Sequence, residues 1–168
     1  MSFPDVGDIR PTPDRIRETL FNWLQFDIAG RRCIEPFAGS GILSFEALSR
    51  GASFVTLIDR NPAVCRGLRH NLEVLGVPAS HFEIIEADGV DWLAGATDRW
   101  DIAFLDPPFD SDGLSRTIDV LPERLEEDGL VYTESRHALT EDSLGDYFGL
   151  HRQKRAGQVH FALLRKLN

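Results

Sequence analysis

The sequence predicts a three-layer α/β protein: a mostly parallel, doubly wound sheet covered by helices on both faces and ending in a C-terminal antiparallel hairpin. Two observations carry this. Short apolar runs alternate with stretches of helical period from Cys33 onward, and two further strand-like runs then flank Ala156-Gly157. The alternation implies parallel strands buried on both faces, and the close spacing of the last two runs implies a hairpin.

Taken in order, a helix is expected with Thr12 as N-cap and Pro13 at its first position, because Ile16, Leu20, Phe21 and Leu24 then form one apolar stripe. Strand and helix follow in turn: Cys33-Ile34 then 42–50, Phe54 to Ile58 then 62–75, Phe82 to Ile85 then 89–94. Ile102 to Leu105 is the next strand, followed by a helix over 114–125, a strand Leu130 to Thr133 and a short helix near 141–147. Asn61-Pro62 can cap and start one helix, and Gly51 and Gly76 can end two others. Residues 148–155 and 158–166 form the hairpin. No repeat or linker interrupts the pattern, so residues 12–168 read as a single domain behind a lead-in of residues 1–11.

Composition narrows the function classes. With 168 residues, 42% hydrophobic, the chain can bury one sizeable core. It contains no apolar stretch near the roughly 20 residues that span a bilayer, and its polar start lacks signal-peptide order, so a cytoplasmic protein with no membrane contact is expected. Cys33 and Cys65 stand alone in apolar settings and read as reduced core residues, and five scattered histidines show no ligand spacing, so no metal site is expected. A net charge of −9 opposes a generic polyanion binder, yet the charge is segregated. Residues 101–147 hold thirteen acids against three arginines, whereas residues 150–168 hold Arg152, Lys154, Arg155, Arg165, Lys166 and no acid.

In a doubly wound sheet the ligand sits beyond the carboxyl ends of the strands, so the informative residues follow strands. After the first strand comes Glu35-Pro36-Phe37-Ala38-Gly39-Ser40-Gly41, whose glycines allow a sharp turn and close approach of backbone to a ligand; a ligand-free tight turn is the alternative. Ser44 replaces the third glycine of the dinucleotide pattern, and Glu35 precedes the first, so a cationic amine with a ribose suits the loop better than a pyrophosphate. S-adenosylmethionine has both groups. Asp59 ends the second strand, where a carboxylate can accept from both ribose hydroxyls or simply face solvent. Asp88 follows the third strand and can accept from an adenine amine or cap the next helix.

Leu105-Asp106-Pro107-Pro108-Phe109 ends the most apolar strand at a corner stiffened by two prolines. An amine attached to an aromatic base is a poor nucleophile because its lone pair is delocalised. Asp106 and the Pro107 carbonyl can accept both amine protons and favour a pyramidal nitrogen, and Phe109 can stack on an extruded base. A rigid loop without chemistry is the alternative for the corner alone. The three strand-end features together point to transfer of a methyl group to an exocyclic amine.

With Arg10-Pro11-Thr12-Pro13-Asp14-Arg15-Ile16-Arg17-Glu18-Thr19-Leu20-Phe21-Asn22-Trp23-Leu24, then Phe37 to Gly41, then Asp106 to Phe109, the chain resembles the bacterial 16S rRNA (guanine(966)-N(2))-methyltransferase family. The last strand, Gly157 to Arg165, is also similar to that family's. The resemblance implies a Rossmann-like class I methyltransferase fold, S-adenosyl-L-methionine as cofactor, and a monomer acting on 16S rRNA within assembled or partly assembled small ribosomal subunits. It implies Asp106, Pro107, Pro108 and Phe109 as catalytic residues. It further places Arg10 or Thr12 near the cofactor's carboxylate, beside Glu35, Phe37, Gly39, Gly41, Asp59 and Asp88. Members usually begin with a basic, Gly-rich segment, whereas nine residues precede Arg10 here, so the chain is expected to bind cofactor normally but to hold rRNA weakly, with little positive surface beyond Arg10 to Arg17 and the tail around Arg152, Lys154 and Arg155. Amino methyltransferases acting on adenine or cytosine in DNA, and a non-catalytic ribosome-assembly factor, are the competing readings. A dehydrogenase would need a fuller glycine pattern and a hydride site. One carboxylate can accept both the ring N–H and the amine of guanine, whereas adenine's ring nitrogen is an acceptor, which favours guanine.

Overall fold

The computed structural model describes residues 13–108 and 111–167. Its centre is a seven-stranded sheet of order β3-β2-β1-β4-β5-β7-β6. The strands are β1 (Arg32–Glu35), β2 (Phe54–Asp59), β3 (Phe82–Glu86), β4 (Trp100–Leu105), β5 (Leu125–Ser135), β6 (Phe148–Ala156) and β7 (Val159–Lys166). β1 to β5 pair in parallel, and β7 runs antiparallel between β5 and β6. Strand order reverses between β1 and β4, which opens the crevice of a doubly wound sheet at their carboxyl ends.

Period-two alternation sends successive side chains to opposite faces, and the two cores follow it. Cys33, Leu57, Ile102, Phe104, Tyr132 and Phe161 lie in one cluster, covered by α1 (Asp14–Trp23), α2 (Ile42–Ser49) and α3 (Pro62–Val74). Ile34, Ile58, Ala103, Leu105, Val131 and Ala162 lie in the other, on the face that carries α4 (Gly89–Gly95) and α5 (Gly113–Val120). Fully burying side chains of this size stabilises by roughly 1.5–3 kcal/mol each before entropy is subtracted, so both layers are held mainly by these stripes. Buried Trp100 satisfies its indole N–H on the Thr56 hydroxyl at 3.1 Å.

Local signals account for most boundaries. Asn61 caps α3 by accepting the Ala63 N–H at 2.9 Å, with Pro62 in the first turn. Gly51 and Gly76 follow α2 and α3 at φ values of 101° and 73°, the left-handed conformation that ends a helix. Four expectations are corrected. α1 begins at Asp14, with Pro13 as its N-cap in place of Thr12, because Pro13 takes an extended ψ of 143° and its carbonyl receives the Arg17 N–H. The helix expected over 114–125 stops at Val120 and tightens into a 3-10 turn, Leu121–Arg124, where Pro122 lacks the N–H an α-helix needs. β5 starts five residues early, at Leu125, with a register shift opposite Trp100 and Ile102 and with Asp128 at φ 61°. The segment near 141–147 is a single 3-10 turn, Glu141–Leu144, closed by a Thr140–Ser143 capping box.

Candidate active site

The loop after β1 is shaped by its glycines. Gly39 and Gly41 hold φ of 52° and 74°, and the Gly41 N–H closes a turn on the Ala38 carbonyl at 2.8 Å. A β-carbon on Gly41 would press on Leu68, Leu57 and Phe45, so α2 packs closely against its neighbours only with glycine there. The loop is tied to β2 twice: the Ala38 N–H donates to the Ile58 carbonyl at 2.9 Å, and the Gly39 N–H donates to Asp59 Oδ2 at 3.1 Å. Asp59 Oδ1 accepts the Asn61 N–H at 2.9 Å. Asp59 is thus aimed by two backbone donors, one per oxygen, and each oxygen keeps a lone pair for a ligand hydroxyl.

Asp88 caps α4, its Oδ1 accepting the Asp91 N–H at 3.0 Å. Gly89 beside it packs where any side chain would collide with the Pro36 carbonyl, which brings the Asp88 corner against the Glu35–Gly41 loop. Phe37 and Pro107 meet over Gly113 in the same way, at 3.3 and 2.9 Å from where its β-carbon would stand. The Pro108 carbonyl accepts both the N–H and the hydroxyl of Ser111, at 3.1 and 2.7 Å, which ties the corner to the residues just before α5. No described residue donates to the Pro107 carbonyl. Arg10, Thr12 and Phe109, each expected at the site, lie outside the described residues.

Strand parity assembles what sequence order kept apart. Residues 33 and 35, 57 and 59, 102 to 106 in steps of two, and 130 to 134 in steps of two share the α1–α3 face, so Asp59, Glu35, Asp106 and Glu134 gather on it at the carboxyl ends of β2, β1, β4 and β5, with Glu35 one step lower, level with Leu57. Leu105 pairs with Thr133, which sets Asp106 beside Glu134. Glu35 and Glu134 are only 3% and 5% exposed, and Asp106 is half-buried. Burial costs a carboxylate its hydration, and adjacent negative charges add to that cost. The Glu35 carboxyl is accordingly pushed up to about 8: burial dominates, and the Ser44 hydrogen bonds only partly offset it. Asp106 is raised well above the usual carboxylate range, first by burial, then by the charges of Glu134 and Glu35 and a hydrogen bond with Glu134. Tyr132 sits below them, its phenol raised by burial, by the charges of Glu134 and Asp106 and by a hydrogen bond with Glu134.

Sequence reasoning missed two of these residues. Ser44, which stood out for replacing a glycine, donates both its N–H, at 3.2 Å, and its hydroxyl, at 2.7 Å, to Glu35 Oε1 and holds that carboxylate in place. Glu134 is the second-last residue of β5 and Asp106 directly follows β4, so its position was a signal, but the pairing of those strands was needed to see it.

Buried acids that burial and mutual repulsion bias toward protonation offer a phosphate no attraction and are ionised by an approaching cation, and left-handed glycines beside an aimed Asp59 suit a ribose; the residues present therefore fit a cationic nucleoside. Fold and site together define a class I S-adenosylmethionine-dependent methyltransferase. The chain belongs to the family described as Conserved hypothetical protein 95, which it matches over residues 1–165. It is 39% identical to Ribosomal RNA small subunit methyltransferase D of Escherichia coli K12, over 97% of this chain and 82% of that one. It is 40% identical to the protein of the same name from Haemophilus influenzae, over 76% and 68% respectively. Among solved structures, the Escherichia coli protein yhhF superposes with a TM-score of 0.85 at 37% identity, covering 98% of this chain and 90% of that one.

Proposed function

We propose that this protein transfers a methyl group from S-adenosylmethionine to the exocyclic N2 amine of a guanine in the 16S RNA of the small ribosomal subunit. It would act as a monomer, through a single domain over residues 12–168, on assembled or partly assembled subunits in the cytoplasm. The single observation that carries the reading is the cluster of acids Glu35, Asp106 and Glu134 beside the Gly39–Gly41 turn. The names of the relatives above support small-subunit rRNA as the substrate.

When bound, the cofactor supplies a methyl group on a positively charged sulfur. Glu35 and Asp59 hold the cationic and ribose parts, with Asp88 at the adenine side and Phe37 against the loop. Arg17 Nη1, buried and without a partner among the described residues, suits a carboxylate on that ligand. Asp106 accepts the guanine ring N–H and one amine proton, and the Pro107 carbonyl accepts the other, which turns the nitrogen lone pair out of conjugation. Phe109 stacks on the extruded base. Methyl transfer would break the methyl–sulfur bond and leave a neutral thioether, and Asp106, raised in proton affinity by burial and by Glu134, would take the proton that the methylated amine loses.

Labelled methyl transfer to small-subunit particles that lack modifications, followed by mapping of the product nucleoside, tests the reading. N2-methylguanine is the expected product. Label on adenine or cytosine of DNA instead, or no transfer to the particles, would overturn it.

A further inference from the structure

The first turns of α1 and the tip of the β6–β7 hairpin enclose a groove of about 500 Å³ lined by Arg15, Ile16, Thr19, Lys154, Arg155 and Phe161, among others. Its lining holds three cations and no acid. Arg15, Lys154 and Arg155 form no salt bridge among the described residues, as is true of several other exposed cations, but these three converge on one groove. All three are exposed. Three unneutralised cations around one concavity, in a chain of net charge −9, repel one another unless an anion joins them.

The groove also lies on the catalytic edge of the sheet. β7 begins where β5 ends, with Ser135 opposite His160 and Glu134 opposite Phe161, and Lys154 faces Phe161 from β6. Lys154 therefore shares the α1–α3 face and the strand level of Glu134, with β7 between them. At about 4.8 Å per strand, the Lys154 strand is about 15 Å from the Asp106 strand. That separation suits one strand of nucleic acid with a base in the crevice and its neighbouring phosphates on the hairpin.

We propose that this groove seats backbone phosphates of the RNA whose base enters the Asp106 crevice. The inference rests on the reading of the chain as an RNA methyltransferase, but it concerns capture, which can be measured apart from transfer. Phosphate contacts orient a strand without reading its sequence, so the groove sets affinity and register while the crevice selects the base.

The test compares wild type with an Arg15→Gln/Lys154→Gln/Arg155→Gln variant and with Arg99→Gln, an exposed cation just before β4 at the opposite edge of the sheet. A labelled single-stranded RNA spanning the methylated guanine is titrated by fluorescence anisotropy across a salt series. The triple variant should bind it at least tenfold more weakly, with a slope of log affinity against log salt shallower by about 2, because each lost phosphate contact on a single strand removes about 0.7. Its melting temperature and S-adenosylmethionine affinity should match wild type, and Arg99→Gln should match wild type throughout. An unchanged salt slope in the triple variant overturns the proposal, as does a wild-type chain that does not bind the RNA. So does loss of docking to intact particles with free-RNA binding unchanged, which would mark the groove as a site for an acidic ribosomal protein. Altered slope without methyl transfer by wild type would leave the groove standing and sink the methyltransferase reading instead.

Discussion

The two ends of the sheet's carboxyl edge carry opposite charge. From β2 to β5 the strand ends present Asp59, Glu35, Asp106 and Glu134, whereas two strands further the hairpin presents Lys154 and Arg155. In the acidic stretch Glu35 and Glu134 are buried, and the proton affinities of Glu35 and Asp106 are raised, while the basic one is exposed and forms no salt bridge among the described residues. The difference teaches that a net charge is a poor guide to partners: one edge of one sheet can attract a cationic cofactor at β1 and a polyanionic substrate at β6, four strands or about 19 Å apart and beyond the roughly 8 Å screening length of physiological salt.

The largest break in this comparison should come from Asp106→Ala. We predict that methyl transfer falls by about a hundredfold or more while S-adenosylmethionine affinity stays within a few-fold, the scale of losing a hydrogen-bond partner made in the transition state. Single-turnover rates beside calorimetric binding separate the two quantities, and a variant that retains turnover would remove Asp106 from catalysis.

Gly39→Val should act on the other side of the crevice. A branched residue at φ 52° is strained and crowds the ligand face of the loop, so cofactor affinity is expected to drop at least tenfold. Calorimetry showing wild-type affinity would reduce the loop to a plain turn.

A milder change sharpens the acidic half. Because Asp106 must be ionised to accept guanine protons and its pKa is raised, kcat/KM should fall with decreasing pH through a range above that of ordinary carboxylates. Glu134→Gln removes one of the charges that raise it, so that acid limb should move to lower pH. A limb that stays in place would deny Glu134 any hold on Asp106.

The smallest effect is on stability. Glu35 rises from 4.5 to about 8 on folding, so its protonated form favours the native state: that contribution is complete below pH 4.5 and is lost as pH rises through 8. Glu35→Gln stays neutral, so its stability relative to wild type should increase between pH 5 and 9. Denaturant midpoints that track wild type at both pH values would contradict the assignment.

Much of this was legible in the chain because it is local. Strand ends, the Asn61-Pro62 cap, the glycines of the β1 loop and the proline corner after β4 are written in neighbouring residues, and so is the order in which they meet the crevice. Asp88 was legible only as a pair of alternatives, of which the structure displays the cap. The early start of β5 was hidden because Glu126, Glu127 and Asp128 are polar and Asp128 takes a left-handed turn, so no apolar alternation announces the strand.

Fold class, element order and the three strand-end features thus belonged to the sequence by itself, since periodicity and turn chemistry need only a few adjacent residues. The tertiary structure decided which strands became neighbours. That choice set Glu134 beside Asp106, and the packing of α2 and α1 on the sheet turned Ser44 onto Glu35 and brought Arg15 opposite Lys154, because contacts beyond immediate neighbours depend on how two apolar layers close around one sheet.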